Sequence, residues 1–327
     1  MSLVLYRKYR PKKLEEIVAQ APIVKTLSAA LEKGLPGHAL LLTGPRGVGK
    51  TSLARILAHR INGVEYKLDE TPLDIIEIDA ASSGRIDEVR DLREKVKLAP
   101  LQLKYKVYII DEVHMLTKEA FNALLKTLEE PPEHAVFILA TTEAHKVPAT
   151  IASRCQHFAF KAVPVEELRR HLENIAKQEK VDIDEAALQL LAQHAGGSLR
   201  DALSLLDQLT SLDKKIDGGL VEEILGLPPT EMVAGLLESL AVGNLKGVVE
   251  RYRKIEALGV DPVVLAERLT SGLRDGLQAN PHDEYYGRKL DLLEDLLDVF
   301  GARQPHAALE IALLKHSRPA KERGNAD

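Results

Sequence analysis

The chain has 327 residues, room for two or three domains each with its own core. Hydrophobic residues make up 45% and charged residues 28%, the balance of a soluble globular protein, and the longest apolar run, Ala135 to Ala140, falls far short of the roughly 18–20 residues of a membrane helix. A net charge of −5 argues against a general nucleic-acid coat protein, and the single cysteine, Cys155, excludes an internal disulfide and a cysteine-based zinc site within one chain.

The N-terminal stretch MSLVLYRKYRP lacks the long apolar segment of a signal peptide, so a cytoplasmic protein with no membrane partner is expected. Residues 1–161 carry 24 Lys and Arg against 20 Asp and Glu, a balance of +4. The remainder carries 20 against 29, a balance of −9. The mildly basic half could face phosphates, or the asymmetry could be ordinary surface variation. Through residue 161, short apolar runs alternate with amphipathic stretches. Strands are predicted at His38–Leu42, Leu73–Ile78, Val107–Ile110 and Val136–Ala140, and helices at Ser52–Ile61 and Lys118–Leu128. That alternation predicts a parallel α/β sheet. After Val163-Pro164 the period becomes helical over Glu166–Lys177, Asp184–Ala195 and Ser198–Leu212, with Ser198 placed to cap the last. Asp217-Gly218-Gly219 and Gly226-Leu-Pro-Pro229 read as turns, and the helical pattern resumes from Thr230. The tail from Ser317 reads as disordered.

Gly44-Pro45-Arg46-Gly47-Val48-Gly49-Lys50-Thr51 fits the phosphate-binding pattern G-x-x-x-x-G-K-[ST], and Ser52 follows it into a helix. It sits between a predicted strand and a predicted helix, where backbone N–H groups and the helix N-terminus can cradle phosphate. Lys50 can bridge β- and γ-phosphates, and the Thr51 hydroxyl can ligate Mg²⁺. The strand ending in Asp111-Glu112 supplies a carboxylate for the metal and one to polarise a water. Without the loop upstream, those two acids would read as a solvated turn. The run Phe137-Ile-Leu-Ala-Thr141-Thr142 places hydroxyls at another strand end, where one could orient water beside the γ-phosphate.

These segments resemble the AAA+ family of oligomeric ATPases. Further segments resemble the gamma/tau subunits of bacterial DNA polymerase III: Tyr6-Arg-Lys-Tyr-Arg10-Pro11, Glu77-Ile-Asp-Ala-Ala-Ser82, Asp111-Glu-Val-His-Met-Leu116, Phe121 to Pro132, Ser153-Arg154-Cys155 and Gly197-Ser-Leu-Arg200-Asp-Ala-Leu203. The resemblance runs from about residue 3 to 212. It implies an AAA+ parallel-sheet core over 1–161, a helical lid over 162–226, a helical collar over 227–318 and a disordered tail over 319–327. It implies that Tyr6, Arg10 and Pro11 close over the adenine. Thr51 and Asp111 then serve Mg²⁺, Glu112 is the catalytic carboxylate, and Thr142 and Arg200 act as sensors of the γ-phosphate. Arg154 becomes an arginine finger acting on ATP held by a neighbouring subunit; an ion pair within its own chain is the alternative, as a plain helix salt bridge to Asp201 is for Arg200.

The family's four-cysteine zinc module is replaced by Asn62 to Pro72 without cysteine, so no zinc is expected; His59, His114 and His145 read as scattered histidines. The long extension of tau is also absent from the expectation, since the sequence stops soon after the collar. The resemblance implies an ATPase motor subunit of a clamp loader. Its partners would be copies of itself, delta- and delta-prime-type subunits, a sliding clamp and primed DNA, and its cofactors ATP and Mg²⁺. Another AAA+ enzyme such as a branch-migration helicase, and a scaffold subunit that does not hydrolyse ATP, are the rivals. Arg85, Arg90 and Lys97 lie on a predicted helix that could face DNA or solvent.

Overall fold

A computed structural model describes residues 4–34, 37–68, 70–83, 94–212, 214–279 and 286–317. Arg85 and Arg90, and the tail from 318 onward, lie outside the described residues. The chain divides into two compact units: Met1–Ile183 with Leu188–Lys215, and Asp184–Ala187 with Ile216–Asp327.

The first unit is built on a five-stranded sheet of β1 (Ala39–Thr43), β2 (Ile75–Asp79), β3 (Lys106–Asp111), β4 (Ala135–Thr141) and β5 (Gln156–Ala159). The strand order is β2-β3-β4-β1-β5, with every pairing parallel. β1 and β4 are buried along their whole length, which explains why they read as continuous apolar runs. Successive side chains point to opposite faces. Leu40, Leu42, Val107, Ile109, Val136 and Ile138 therefore enter one core layer, with Leu53 and Leu57 of the helix after β1. Leu41, Tyr108, Ile110, Phe137 and Leu139 enter the other, with Phe121 and Leu124. Tyr108 and Phe137 stack there at 5.4 Å. Each fully buried leucine contributes about 1.5–3 kcal/mol, so the layers fix the strand register.

That register aligns the strand ends: Thr43 pairs with Thr141 and Asp79 with Asp111. The carboxyl ends of a parallel sheet are where such folds bind ligands. The helices around it are α1 (Ala21–Glu32), α2 (Lys50–Ile61), α3 (Lys118–Glu129) and α4 (Val165–Glu179). α5 (Glu185–His194), whose first turn is counted with the second unit, and α6 (Leu199–Thr210) follow. Ser198 caps α6, accepting from the Asp201 N–H at 3.2 Å. β5 escaped the sequence reading because its side chains are largely exposed; only backbone pairing to Leu40–Thr43 makes it a strand.

Asp74, just ahead of β2, is fully buried. Its carboxylate accepts from the N–H groups of Leu101, Gln102 and Leu103 at 2.8, 2.7 and 2.9 Å, closing the loop before β3.

The second unit is helical: α7 (Gly218–Leu225), α8 (Thr230–Ala241), α9 (Leu245–Glu256), α10 (Pro262–Ala279), α11 (Tyr286–Val299) and α12 (Pro305–His316). Gly218 and Gly219, expected in a turn, instead open α7, because Asp217 caps it by accepting from the Leu220 N–H at 2.9 Å. Gly226, in the left-handed region, ends it. Leu236, Ile255, Leu269, Leu296, Val299 and Leu309 form this unit's core. At its edge His316 Nε2 meets Asp295 Oδ2 at 2.6 Å, and Lys315 Nζ lies 2.8 Å from the same carboxylate oxygen.

Candidate active site

β1 runs out at Thr43 and α2 begins at Lys50; between them the chain must curl tightly. Gly44, Gly47 and Gly49 all have positive φ, of 137°, 70° and 103°. A Cβ on Gly44 would lie 2.4 Å from Phe160 O, and one on Gly47 would lie 1.9 Å from Ser198 Oγ, so two of these glycines are also demanded by close packing. Val48 is fully buried in the core and offers the loop only its backbone.

Lys50 is buried, and its Nζ donates to Gly44 O at 2.8 Å and Pro45 O at 2.6 Å. Burial pushes its ammonium below the usual lysine range, and the charges of Glu112 and Asp111 only partly oppose this. Thr51 Oγ1 donates to Asp111 Oδ2 at 2.7 Å. Burial pushes the Asp111 carboxyl above the usual range, in spite of the hydrogen bonds from Thr51 and the Glu112 amide; Glu112 and Glu77 push it the same way. A cation at this carboxylate would remove that penalty, which is the chemistry of a divalent-metal site.

Glu112 has φ 47°, a left-handed conformation uncommon outside glycine and a recurrent mark of functional sites. Its Oε2 accepts from both the N–H and the Oγ1 of Thr142, at 3.1 and 3.0 Å. Thr142 thus reaches the site through Glu112, thirty residues away in sequence. From the other side, Gly47 O accepts from the Leu199 N–H at 3.0 Å, seating the first turn of α6 on the loop. Arg200 lies over the Tyr6 ring, 5.2 Å from its centre, and Arg46 pairs with Asp201 at 3.0 Å. The sequence offered Asp201 as a partner for Arg200; the structure gives it to Arg46.

These parts enclose a cavity of about 570 Å³, whose walls include Tyr6, Arg10, Pro11, Arg46, Gly47, Gly49, Lys50, Thr51, Ser52, Asp111, Glu112 and Arg200. Gly44 and Pro45 stand behind the lysine rather than in the wall. Arg154 is not in the wall; it is exposed, with Nη2 2.7 Å from Glu129 Oε1 and Nη1 donating to Thr150 O at 2.8 Å. The sequence reading missed Lys8, Tyr9, Val18, His171, Gln178 and Leu203, which also face the cavity. Leu199, Arg200 and Leu203 share one face of α6 by spacing alone, a signal that was available. Tyr9 bonds Glu179, and burial together with that carboxylate pushes its hydroxyl up to about 12. A glycine loop at a helix N-terminus, a buried lysine, and a hydroxyl–carboxylate pair fit a nucleotide polyphosphate with a divalent cation.

Fold and site together define a P-loop nucleotide-binding protein of the AAA+ class. Residues 19–164 match the family described as DNA polymerase III, delta subunit, and residues 167–212 match the DNA polymerase III clamp loader subunit, ATPase lid domain. The chain is 44% identical over 290 residues to DNA polymerase III subunit tau of Bacillus subtilis (strain 168), covering 84% of this chain and 51% of that protein. It is 39% identical over 274 residues to subunit gamma of Buchnera aphidicola subsp. Acyrthosiphon pisum, covering 79% of this chain and 76% of that one. A solved structure of the Thermotoga maritima RuvB Holliday junction branch migration motor superposes with a TM-score of 0.54 at 25% identity, over 77% of this chain and 86% of that one. The chain belongs to the gamma/tau family of bacterial DNA polymerase III subunits, and it spans about half the length of its tau relative from Bacillus subtilis.

Proposed function

We propose that this chain is the ATPase motor subunit of a bacterial replicative clamp loader, using ATP binding and hydrolysis to open a sliding clamp and place it on primed DNA. The observation that carries this reading is the gathering of the glycine loop, Lys50, Asp111, Glu112 and Arg200 around one cavity in a chain of this family. Thr51 and Asp111 would hold Mg²⁺, and Mg²⁺-bound ATP supplies the phosphoryl group that is transferred to water. Glu112, oriented by Thr142, takes the proton of the attacking water. Lys50 and Arg200 neutralise charge on the phosphates, and Tyr6, Arg10 and Pro11 flank the adenine. Arg154 acts on ATP held by the neighbouring subunit, which is consistent with its absence from its own cavity wall. Residues 162–226 serve as the lid and 227–318 as the collar through which subunits assemble.

The superposition on RuvB speaks for the shared fold, and the 39–44% identities to gamma and tau favour clamp loading over branch migration. The test is ATP turnover by the chain assembled with delta- and delta-prime-type subunits and clamp, with and without primed DNA. Turnover stimulated by primed DNA and clamp together is expected. Turnover indifferent to both, or stimulated by four-way junctions instead, overturns the proposal. A complex that loads clamps at full rate after this chain's sites are disabled would make it a scaffold.

A further inference from the structure

His114 follows Glu112 by two residues, on the short turn after β3, and its side chain is only 7% exposed. Its Nδ1 lies 2.9 Å from Thr141 Oγ1 and 3.3 Å from Glu112 Oε2. Its Nε2 lies 3.2 Å from Glu143 Oε1. Thr141 is fully buried at the end of β4, and its Oγ1 also accepts from the Glu143 N–H at 3.0 Å. Glu143 in turn pairs with Lys146 at 2.7 Å and lies 3.8 Å from His145. The imidazole therefore stands between two carboxylates that come from different strand ends.

The geometry points to a role for His114: we infer that it is a positioning residue for hydrolysis, its ring held by Thr141 and Glu143 so that the Nδ1 side backs the Glu112 carboxylate. Glu112 Oε2 already accepts twice from Thr142. The imidazole Nδ1, hydrogen-bonded to Thr141 Oγ1 at 2.9 Å, stands 3.3 Å from the same oxygen and closes that side of the carboxylate, so Oε1 is left to meet water. A carboxylate held at one oxygen cannot swing, and a misplacement of about 1 Å at such a group can cost about a hundredfold in rate. Glu143 enters as the ring's second anchor, a role that neither the motif nor the spacing of the sequence suggests.

This inference rests on the hydrolytic reading of the site, so E112Q is the reference in its test. The assay is steady-state ATP turnover in the complex assembled with partner subunits, clamp and primed DNA, with nucleotide titration of each variant chain. H114A is expected to lower kcat roughly ten- to a hundredfold while KM for ATP and nucleotide affinity stay within about twofold. H114N, whose amide nitrogen can take the place of Nδ1, is expected to keep most of the turnover, whereas H114Q, which reaches toward the place of Nε2, is not. In the E112Q background H114A should add almost nothing, because a residue that acts through another is not additive with it. Should H114A fail to fold, the Asn–Gln pair carries the test by itself. If E112Q is dead but H114A stays within threefold of the parent, or if Asn and Gln are equal, the inference falls and the proposed function stands. If the parent complex does not turn over, or E112Q matches it, the proposed function falls and takes this inference with it.

Discussion

In the unit that carries the sheet, polar groups are buried where nothing in the chain fully answers them. Lys50 is pressed against carbonyls and loses basicity; Asp111 gains a proton affinity that its hydrogen bonds do not cancel. In the helical unit the half-buried charge is closed on itself. Asp295 meets His316 and Lys315, and these partners hold its carboxyl below the usual range although burial alone would push it up. The same physical cost of burying charge is left open at the cavity of the first unit and answered at this edge of the second. An open cost is released when a ligand of opposite charge arrives, so it marks a binding site. A closed one marks a structural device.

The comparison can be broken most forcefully at Arg154. In the assembled complex R154A is expected to lower turnover about 10³-fold, the scale of a finger supplied in trans, with nucleotide binding by the single chain unchanged. Mixing K50A chains with R154A chains, with partner subunits present, should restore part of the activity. Some interfaces then join an intact loop to an intact arginine. If mixed complexes form and turnover stays absent, Arg154 serves only the Glu129 pair of its own chain.

K50A comes next. It should weaken ATP binding roughly a hundredfold, the loss of charge-assisted hydrogen bonds to phosphate, as read by nucleotide titration. Thermal stability should not fall, because the lysine is a desolvated cation in the folded chain. A large drop in melting temperature with affinity preserved would put Lys50 among the structural charges and erase the contrast between the units.

Much of this site was legible because its parts are local. The glycine loop, Lys50 and Thr51 are consecutive, and Asp111-Glu112 ends an apolar run that could only be a buried strand. The predicted strands and helices fall within two residues of those observed, since each carries its own period. What the sequence hid depends on distant partners. Thr142 was singled out, but its bonds to Glu112 join two strand ends thirty residues apart. His114 was counted among scattered histidines because Thr141 and Glu143 come from β4 and the turn after it. β5 has no continuous apolar run to betray it, and Asp74, placed inside the predicted strand Leu73–Ile78, shows nothing of its role until the 101–103 segment folds over it.

Asp74 offers a stability effect in the sheet unit, where it and Lys106 are buried charges answered away from the site. Burial would push its carboxyl up, but the three N–H donors outweigh this, with Lys106 adding to them, and the carboxyl sits below the usual range. D74N is expected to destabilise the sheet by about 2 kcal/mol, since an amide accepts more weakly and brings an N–H to a place lined with donors. Amide hydrogen exchange should quicken across β2 and β3 and stay unchanged in α11 and α12. An unchanged sheet would mean that the 101–103 loop closes without the carboxylate.

The smallest effect is expected at Asp295, and it tests the closed side of the contrast. Asp295 is partly exposed and Lys315 mostly so, hence screening trims the pair and D295N should cost only about 1 kcal/mol. The pH dependence carries more information. A carboxyl whose folded value is depressed adds stability that is fully present above its unfolded value, about 3.9 for aspartate, and that disappears as pH falls through the folded value. The parent chain should therefore lose protection in α11 and α12 on acidification below about pH 4, while D295N, already lacking the charge, should show a shallower acid limb and the same protection below it. ATP affinity at neutral pH should be indifferent to D295N, because the charge it removes is answered within its own unit. If D295N weakens nucleotide binding as K50A does, the helical unit's charge is coupled to the site, and the division between open and closed burial drawn from these two units does not hold.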